Sequence, residues 1–140
     1  MKKDIEQVVW DFDVPLFRQK VYLVVGGSPE ALESQIEKIH GTYNVIELGV
    51  RRGQDVHVFP DTAGKGFKVE GLKEPKIAFW LWLKNSNTRL ENISMLSHEA
   101  THVAAEILRH IGVRFSEDSE EVYAYLQEEI FYEALRRMKS

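Results

Sequence analysis

A long amphipathic helical segment, residues 89–110, constrains the fold of this chain more than any other feature. At about 100° per residue, its apolar side chains and that of the adjoining Ile111 form one stripe, which needs a packing surface. The stripe consists of Ile93, Leu96, Ala100, Val103, Ile107 and Ile111. His98 and His102 fall nearly opposite to it, so we do not expect them to be core histidines.

The same segment carries a metal-binding motif. His98, Glu99 and His102 spell H-E-x-x-H, and histidines four residues apart lie one above the other on a helix. Two imidazoles in this arrangement can bind one zinc ion, and the adjacent glutamate can accept a proton from water on that metal. Because the motif is short, two solvent-exposed histidines would produce the same pattern. The other ligands therefore decide the interpretation.

A catalytic zinc site needs three protein ligands and one open position. His110 lies about 12 Å beyond the motif if the helix is continuous, which is too far. His40 and His57 are remote in sequence and stay open as weaker alternatives. A glutamate from the next predicted helix is the better candidate, because Glu120 and Glu121 lie in its first turn. The apolar pattern of that helix favours Glu120 slightly, since it leans towards the packed side.

Composition excludes several classes of protein. The chain has 140 residues, 44% of them hydrophobic and 29% charged, which is typical of one compact domain spanning residues 1–140. The absence of cysteine excludes disulfides, thiolate zinc ligands and a cysteine nucleophile. The net charge of −4, with no basic block, gives no support to nucleic-acid binding. No apolar run suggests a membrane span or a signal peptide, so we expect a cytoplasmic protein.

The remaining elements indicate an α+β fold, because strands cluster early and long helices come late. A strand is predicted at residues 19–25, and a helix from the N-cap Ser28 to Gly41. Further predicted elements are short β-like runs at Asn44–Leu48 and Asp55–Phe59, a loop or irregular hairpin from Pro60 to Gly71, a strand at 76–83 and a C-terminal helix beginning near 116–119.

From Ile77 to Leu126 the chain resembles zincin-type metallopeptidases, especially small ones encoded by phages and mobile elements. The matching features are the strand at 77–83, the H-E-x-x-H motif, Gly112 and the block Glu-Glu-Val-Tyr-Ala-Tyr-Leu at 120–126. The glutamate three residues before Ala-Tyr-Leu is Glu121, and the resemblance implies that it is the third zinc ligand. It also implies a small twisted, mostly antiparallel sheet packed on the active-site helix and a C-terminal helix. The strand at 77–83 would border the cleft.

Taken together, these observations predict a zinc-dependent peptidase that hydrolyses a peptide or amide bond. Zinc would be held by His98, His102 and Glu121, and Glu99 would activate the water. The partner would be a peptide or protein substrate, without nucleic acid or membrane, and no feature specifies an oligomeric state. The alternative is an inactive zincin-like domain that acts by binding a metal or another protein.

For several side chains the sequence is compatible with a functional role and with a structural one. Trp80 and Trp82 alternate on one predicted strand and either line a substrate groove or belong to the core. Glu106 and Asp118 are candidates to orient the histidines through hydrogen bonds. Tyr123 is a candidate oxyanion donor, although packing between helices is the more expected role.

Overall fold

The structure is a computed structural model that describes residues 7–53, 64–85 and 89–139. This part of the chain folds into six strands and three α-helices. The strands are β1 (Val8–Val14), β2 (Gln19–Val25), β3 (Tyr43–Glu47), β4 (Val50–Gly53), β5 (Gly64–Gly71) and β6 (Ile77–Leu83). The helices are α1 (Pro29–His40), α2 (Leu90–His110) and α3 (Glu120–Lys139). Among the described residues, no helix combines the length and the apolar character needed to cross a membrane.

The strands form one mixed sheet in the order β1-β2-β6-β5-β3-β4. The β2–β6 pair is parallel, and the other four pairs are antiparallel. The prediction of an α+β fold is confirmed. The predicted helix from Ser28 to Gly41 is also confirmed, because the Ser28 hydroxyl accepts a hydrogen bond from the Ala31 N–H and Gly41 forms the C-cap. These are the residue types that begin and end helices.

Both faces of the sheet are covered. Helices α2 and α3 pack on one face, and α1 packs on the other. Along β6, Phe79 and Leu81 point towards α2 and α3, whereas Trp80 and Trp82 point towards α1. Both tryptophans are fully buried, on the opposite face from the histidine motif. Of the two interpretations that the sequence left open, the core is therefore confirmed for both, and the substrate groove is excluded.

Residues 64–71 differ from the prediction of a loop or irregular hairpin from Pro60 to Gly71, because they form the regular strand β5. Two glycines, Gly64 and Gly66, lie on the face of β5 that meets α2. A Cβ atom on Gly66 would lie 2.5 Å from the carbonyl oxygen of Glu99, so only glycine lets the strand and the helix approach this closely. The two glycines hide the strand pattern in the sequence. The predicted β-like run at Asp55–Phe59 lies outside the described residues.

His40, at the end of α1, is fully buried, and both of its ring nitrogens are used. Nδ1 lies 2.7 Å from the carbonyl oxygen of Pro75, and Nε2 lies 3.0 Å from Nε1 of Trp80. A carbonyl can only accept and an indole N–H can only donate, so Nδ1 carries the proton and Nε2 accepts. This pattern requires a neutral imidazole. Burial lowers the pKa of His40 below its ordinary value, and the hydrogen bond to Pro75 opposes that shift.

We expect His40 to make the fold less stable at mildly acidic pH. The unfolded chain takes up a proton near pH 6.5, whereas the folded chain does not, so stability falls as pH drops below that value. One group contributes at most about 1.4 kcal/mol per pH unit. A His40→Gln variant retains a donor and an acceptor but does not titrate. Urea unfolding between pH 7 and 5 should therefore show a shallower pH dependence for the variant, and identical slopes would contradict this assignment.

Candidate metal centre

Helix α2 places the two motif histidines side by side on its outer surface. The Nε2 atoms of His98 and His102 are 3.2 Å apart, and their rings meet edge to face with centroids 4.8 Å apart. The side chain of His98 is 64% exposed, and His102 is half-buried. The prediction that His98 and His102 face away from the apolar stripe is confirmed, since Leu96, Ala100 and Val103 are fully buried on the other side of the helix.

The distance between the two nitrogens fits one tetrahedral metal ion. Zinc binds imidazole nitrogen at about 2.0–2.1 Å, and a tetrahedral angle then separates two such nitrogens by about 3.3 Å. The 3.2 Å between His98 and His102 agrees with that value. A direct hydrogen bond between two neutral imidazoles gives a similar distance, and a metal titration distinguishes the two arrangements.

Glu99 lies beside the histidine pair but points into the protein. It is 6% exposed, and its Oε1 accepts a hydrogen bond of 2.8 Å from the N–H of Gly66. Its other oxygen, Oε2, lies 3.9 Å from Nε2 of His98. One carboxylate oxygen is thus held by the sheet while the other faces the imidazoles. The strand that borders this site is β5, so the expectation that residues 77–83 border it is wrong.

A cavity of about 250 Å³ opens next to the motif, between α2 and the sheet. His102 and Glu99 line it, together with the backbone of Gly64 and Gly66. Four further charged residues contribute to its wall, namely Glu47, Lys65, Glu106 and Arg109. They form two ion pairs, Lys65 with Glu47 at 3.0 Å and Arg109 with Glu106. Sequence reasoning missed Glu47 and Lys65, because no motif or spacing connects them to the histidines, whereas Arg109 shares their helical face.

Glu106 has a structural connection that the sequence did not predict. Its carboxylate is 4% exposed, accepts a hydrogen bond of 3.2 Å from the N–H of Leu48 and pairs with Arg109. Burial raises the pKa of Glu106, and Arg109 opposes that shift. These contacts tie α2 to the turn after β3, which makes Glu106 part of the wall of the cavity. Asp118, the other residue considered for orienting the histidines, is exposed.

The first turn of α3 carries the predicted third ligand. Glu120 and Glu121 are both exposed there. In residues 7–53, 64–85 and 89–139, no group of three or more His, Cys, Asp or Glu side chains is arranged to hold a metal ion. The structure therefore brings together His98, His102 and Glu99, and none of the residues that it describes joins them as a third ligand.

The chain has three further histidines, His40, His57 and His110. Both ring nitrogens of His40 are used inside the core, so its role as a third ligand is excluded. His110 packs edge to face on Phe79, with ring centroids 5.8 Å apart. His57 lies outside the described residues.

Comparisons with protein family models, with curated proteins and with solved structures gave no match.

Proposed function

We propose that this protein is a zincin-like, zinc-dependent peptidase that hydrolyses a peptide or amide bond. The observation that carries the proposal is the geometry of the motif. Two imidazole nitrogens lie 3.2 Å apart on an exposed helical face, and a buried carboxylate oxygen lies 3.9 Å from one of them. A pair of surface histidines by itself gives no reason to bury a carboxylate beside it, since the burial of a charged group carries a desolvation cost.

His98 and His102 would hold the metal, with Glu121 as the third ligand. A zinc ion in such a site supplies a water molecule whose pKa is lowered towards about 7, and it polarises a carbonyl group. Glu99 would accept the proton of the attacking water at Oε2 and pass it to the amine that leaves. The Gly66 N–H holds Oε1 throughout, so the carboxylate keeps its orientation while Oε2 exchanges the proton.

The packing of α2 against α3 supports a third ligand from the first turn of α3. The Tyr123 hydroxyl donates to the carbonyl oxygen of Thr101 at 3.2 Å, and Gln127 donates to the Ser97 hydroxyl at 3.2 Å. The helices are therefore antiparallel. If the pairing of 123 with 101 and of 127 with 97 continues, Glu121 lies opposite residue 103. That level is about 1.5 Å along the helix axis from the level of His102.

Rotation around the helix axes gives a second argument. At about 100° per residue, His98 and His102 lie about 60° and 100° from the contact residue Thr101. Glu120 and Glu121 lie about 60° and 160° from Tyr123 in the same sense. In an antiparallel pair these rotations lead to the same outer side, so Glu120 lies on the side of the two histidines, whereas Glu121, at about 160°, points nearly away from α2. The resemblance to zincins favours Glu121 over Glu120.

Metal content tests this proposal. We expect about one zinc per chain in full-length protein purified without chelator or nickel, because three ligands suffice for a catalytic site. His98→Ala and Glu121→Ala should each lose the metal. Glu120→Ala is the matched control, since it removes the neighbouring acid, and it should keep the zinc. The number of zinc ions per chain is measured by mass spectrometry on each purified protein.

Two outcomes would contradict the assignment. If Glu120→Ala loses zinc and Glu121→Ala keeps it, the third ligand is Glu120. If the wild type stays metal-free after zinc is supplied, the histidines form only a hydrogen-bonded surface pair. The alternative function, a zincin-like module that binds a protein partner without hydrolysis, would then explain the fold better.

A further inference from the structure

A second cavity lies beside the proposed active site and differs from it in character. Its volume is about 620 Å³, and it shares Ala105 and Arg109 of α2 with the first cavity. The rest of its wall comes from the end of α2, from the turn that follows and from the start of α3. Most of this wall is apolar or aromatic, formed by Leu108, Val113, Phe115 and Tyr123. Because the two cavities share lining residues, they are neighbours along α2.

The two cavities differ in their charged residues. The first is lined by three carboxylates, those of Glu47, Glu99 and Glu106, against two cationic side chains. The charged residues that line the second are both arginines, Arg109 and Arg114. A negative group in the second cavity therefore meets two cationic side chains. The ligand that fits there has a large apolar body and a carboxylate within reach of these arginines.

Arg109 is held in a position where it can bind such a carboxylate. Its guanidinium pairs with the buried Glu106, and its aliphatic stem lies against the turn at Gly49, where a Cβ atom would be 3.2 Å from Cδ of the arginine. The side chain is still 45% exposed. A guanidinium has five N–H donors in a rigid fork, so pairing with Glu106 leaves donors for a second, bidentate carboxylate.

We propose that the substrate is a peptide whose free C-terminal carboxylate binds Arg109 while its last, large apolar side chain fills the second cavity. This inference rests on the proposed peptidase site and specifies its substrate. Hydrolysis breaks one C–N bond, adds the oxygen of water to the acyl carbon and its proton to the leaving amine, and needs no other reactant.

The spacing along α2 sets the position of cleavage. Arg109 follows His102 by seven residues, which is about 10 Å along the helix axis. An extended peptide covers that distance in about three residues. Long helical side chains point back towards the N-terminus, which shortens the span. The enzyme would therefore release the last one to three residues of its substrate.

Binding and cleavage can be measured separately. The binding assay uses the zinc-loaded Glu99→Gln variant and short unstructured peptides that end in Phe or in Asp, each with a free carboxylate or a carboxamide. We expect the Phe peptide with a free carboxylate to bind at least about tenfold more tightly than its amide, because a charge-assisted bidentate contact is lost in the amide. It should also bind more tightly than the peptide that ends in Asp. Products of the wild type are then identified by mass spectrometry.

Three variants, built into the Glu99→Gln background, assign the preference to Arg109. Arg109→Gln should abolish the difference between carboxylate and amide without changing the zinc content. Since that variant leaves the buried Glu106 without its partner, the double variant Glu106→Gln/Arg109→Gln repeats the test with a neutral pair. Arg52→Gln is the matched control, because Arg52 is exposed on β4 and lines neither cavity.

The outcomes separate this inference from the proposed function. Equal binding of carboxylate and amide, or a preference that survives in both Arg109 variants, overturns the inference. Cleavage far from the C-terminus also overturns it, although the peptidase proposal then stands. A carboxylate preference that depends on Arg109, together with a wild type that cleaves nothing, supports the ligand assignment and contradicts the peptidase proposal.

Discussion

The Glu99→Gln variant is expected to keep its fold and its zinc and to lose hydrolysis by at least about 100-fold. Glutamine has the same shape, and its carbonyl oxygen can accept the hydrogen bond that the Gly66 N–H now donates to Oε1. The amide nitrogen that replaces Oε2 cannot accept a proton. Peptide turnover, measured with zinc content and circular dichroism on the same preparation, checks this expectation.

Glu91→Gln is the matched control for that experiment. Glu91 lies in the first turn of the same helix, seven residues before His98, and is exposed. The control should retain full turnover. If Glu99→Gln still hydrolyses peptides at the wild-type rate, Glu99 is not the general base and the mechanism proposed above is wrong. If function in cells survives this change, the binding-module alternative is the better explanation.

Gly66→Ala is expected to lower the free energy of unfolding by about 2–3 kcal/mol, which is a fall in Tm of about 5–15 °C for a chain of this size. The new Cβ atom would lie 2.5 Å from the Glu99 carbonyl oxygen and 2.9 Å from Cγ2 of Val103. Since the first of these atoms belongs to the backbone of α2, the helix has to move away from β5. The hydrogen bond that orients Glu99 should weaken with it, so turnover should fall even in folded protein.

A double variant tests whether the backbone contact is responsible. Adding Val103→Ala to Gly66→Ala removes the clash with the valine side chain but leaves the clash with the Glu99 carbonyl. We therefore expect the Tm of the double variant to fall by the sum of the falls in the two single variants. Thermal unfolding followed by circular dichroism measures this. An unchanged Tm in Gly66→Ala alone would show that β5 and α2 are not packed as closely as described.

The exposed half of the site was predictable because it depends on helical periodicity alone. The spacing of His98 and His102 and the apolar stripe opposite to them are properties of one helix. The buried half was not predictable. Glu99 meets Gly66, which is 33 residues away, and Glu106 meets Leu48, which is 58 residues away. Local patterns contain no information on such pairs, and glycines at 64 and 66 conceal the strand that supplies one of them.

The tryptophans of β6 illustrate the same limit. Trp80 and Trp82 have the aromatic character of a strand, which predicted the element correctly. Whether such side chains face a groove or a core depends on what covers that face of the sheet. Helix α1 covers it, and His40 accepts the indole N–H of Trp80, so the face is closed. The sequence of the strand alone does not specify this.

By itself, the sequence determined the α+β class, the ends of α1 and the helical face that carries His98 and His102. These features follow from capping residues and periodicity, which act over a few residues. Only the tertiary structure decided which strand borders the motif, which oxygen of Glu99 faces the histidines and which charges surround the cavity. These features depend on packing between segments far apart in the chain, where close approach is set by the absence of a side chain at Gly66 and by the burial of Glu106.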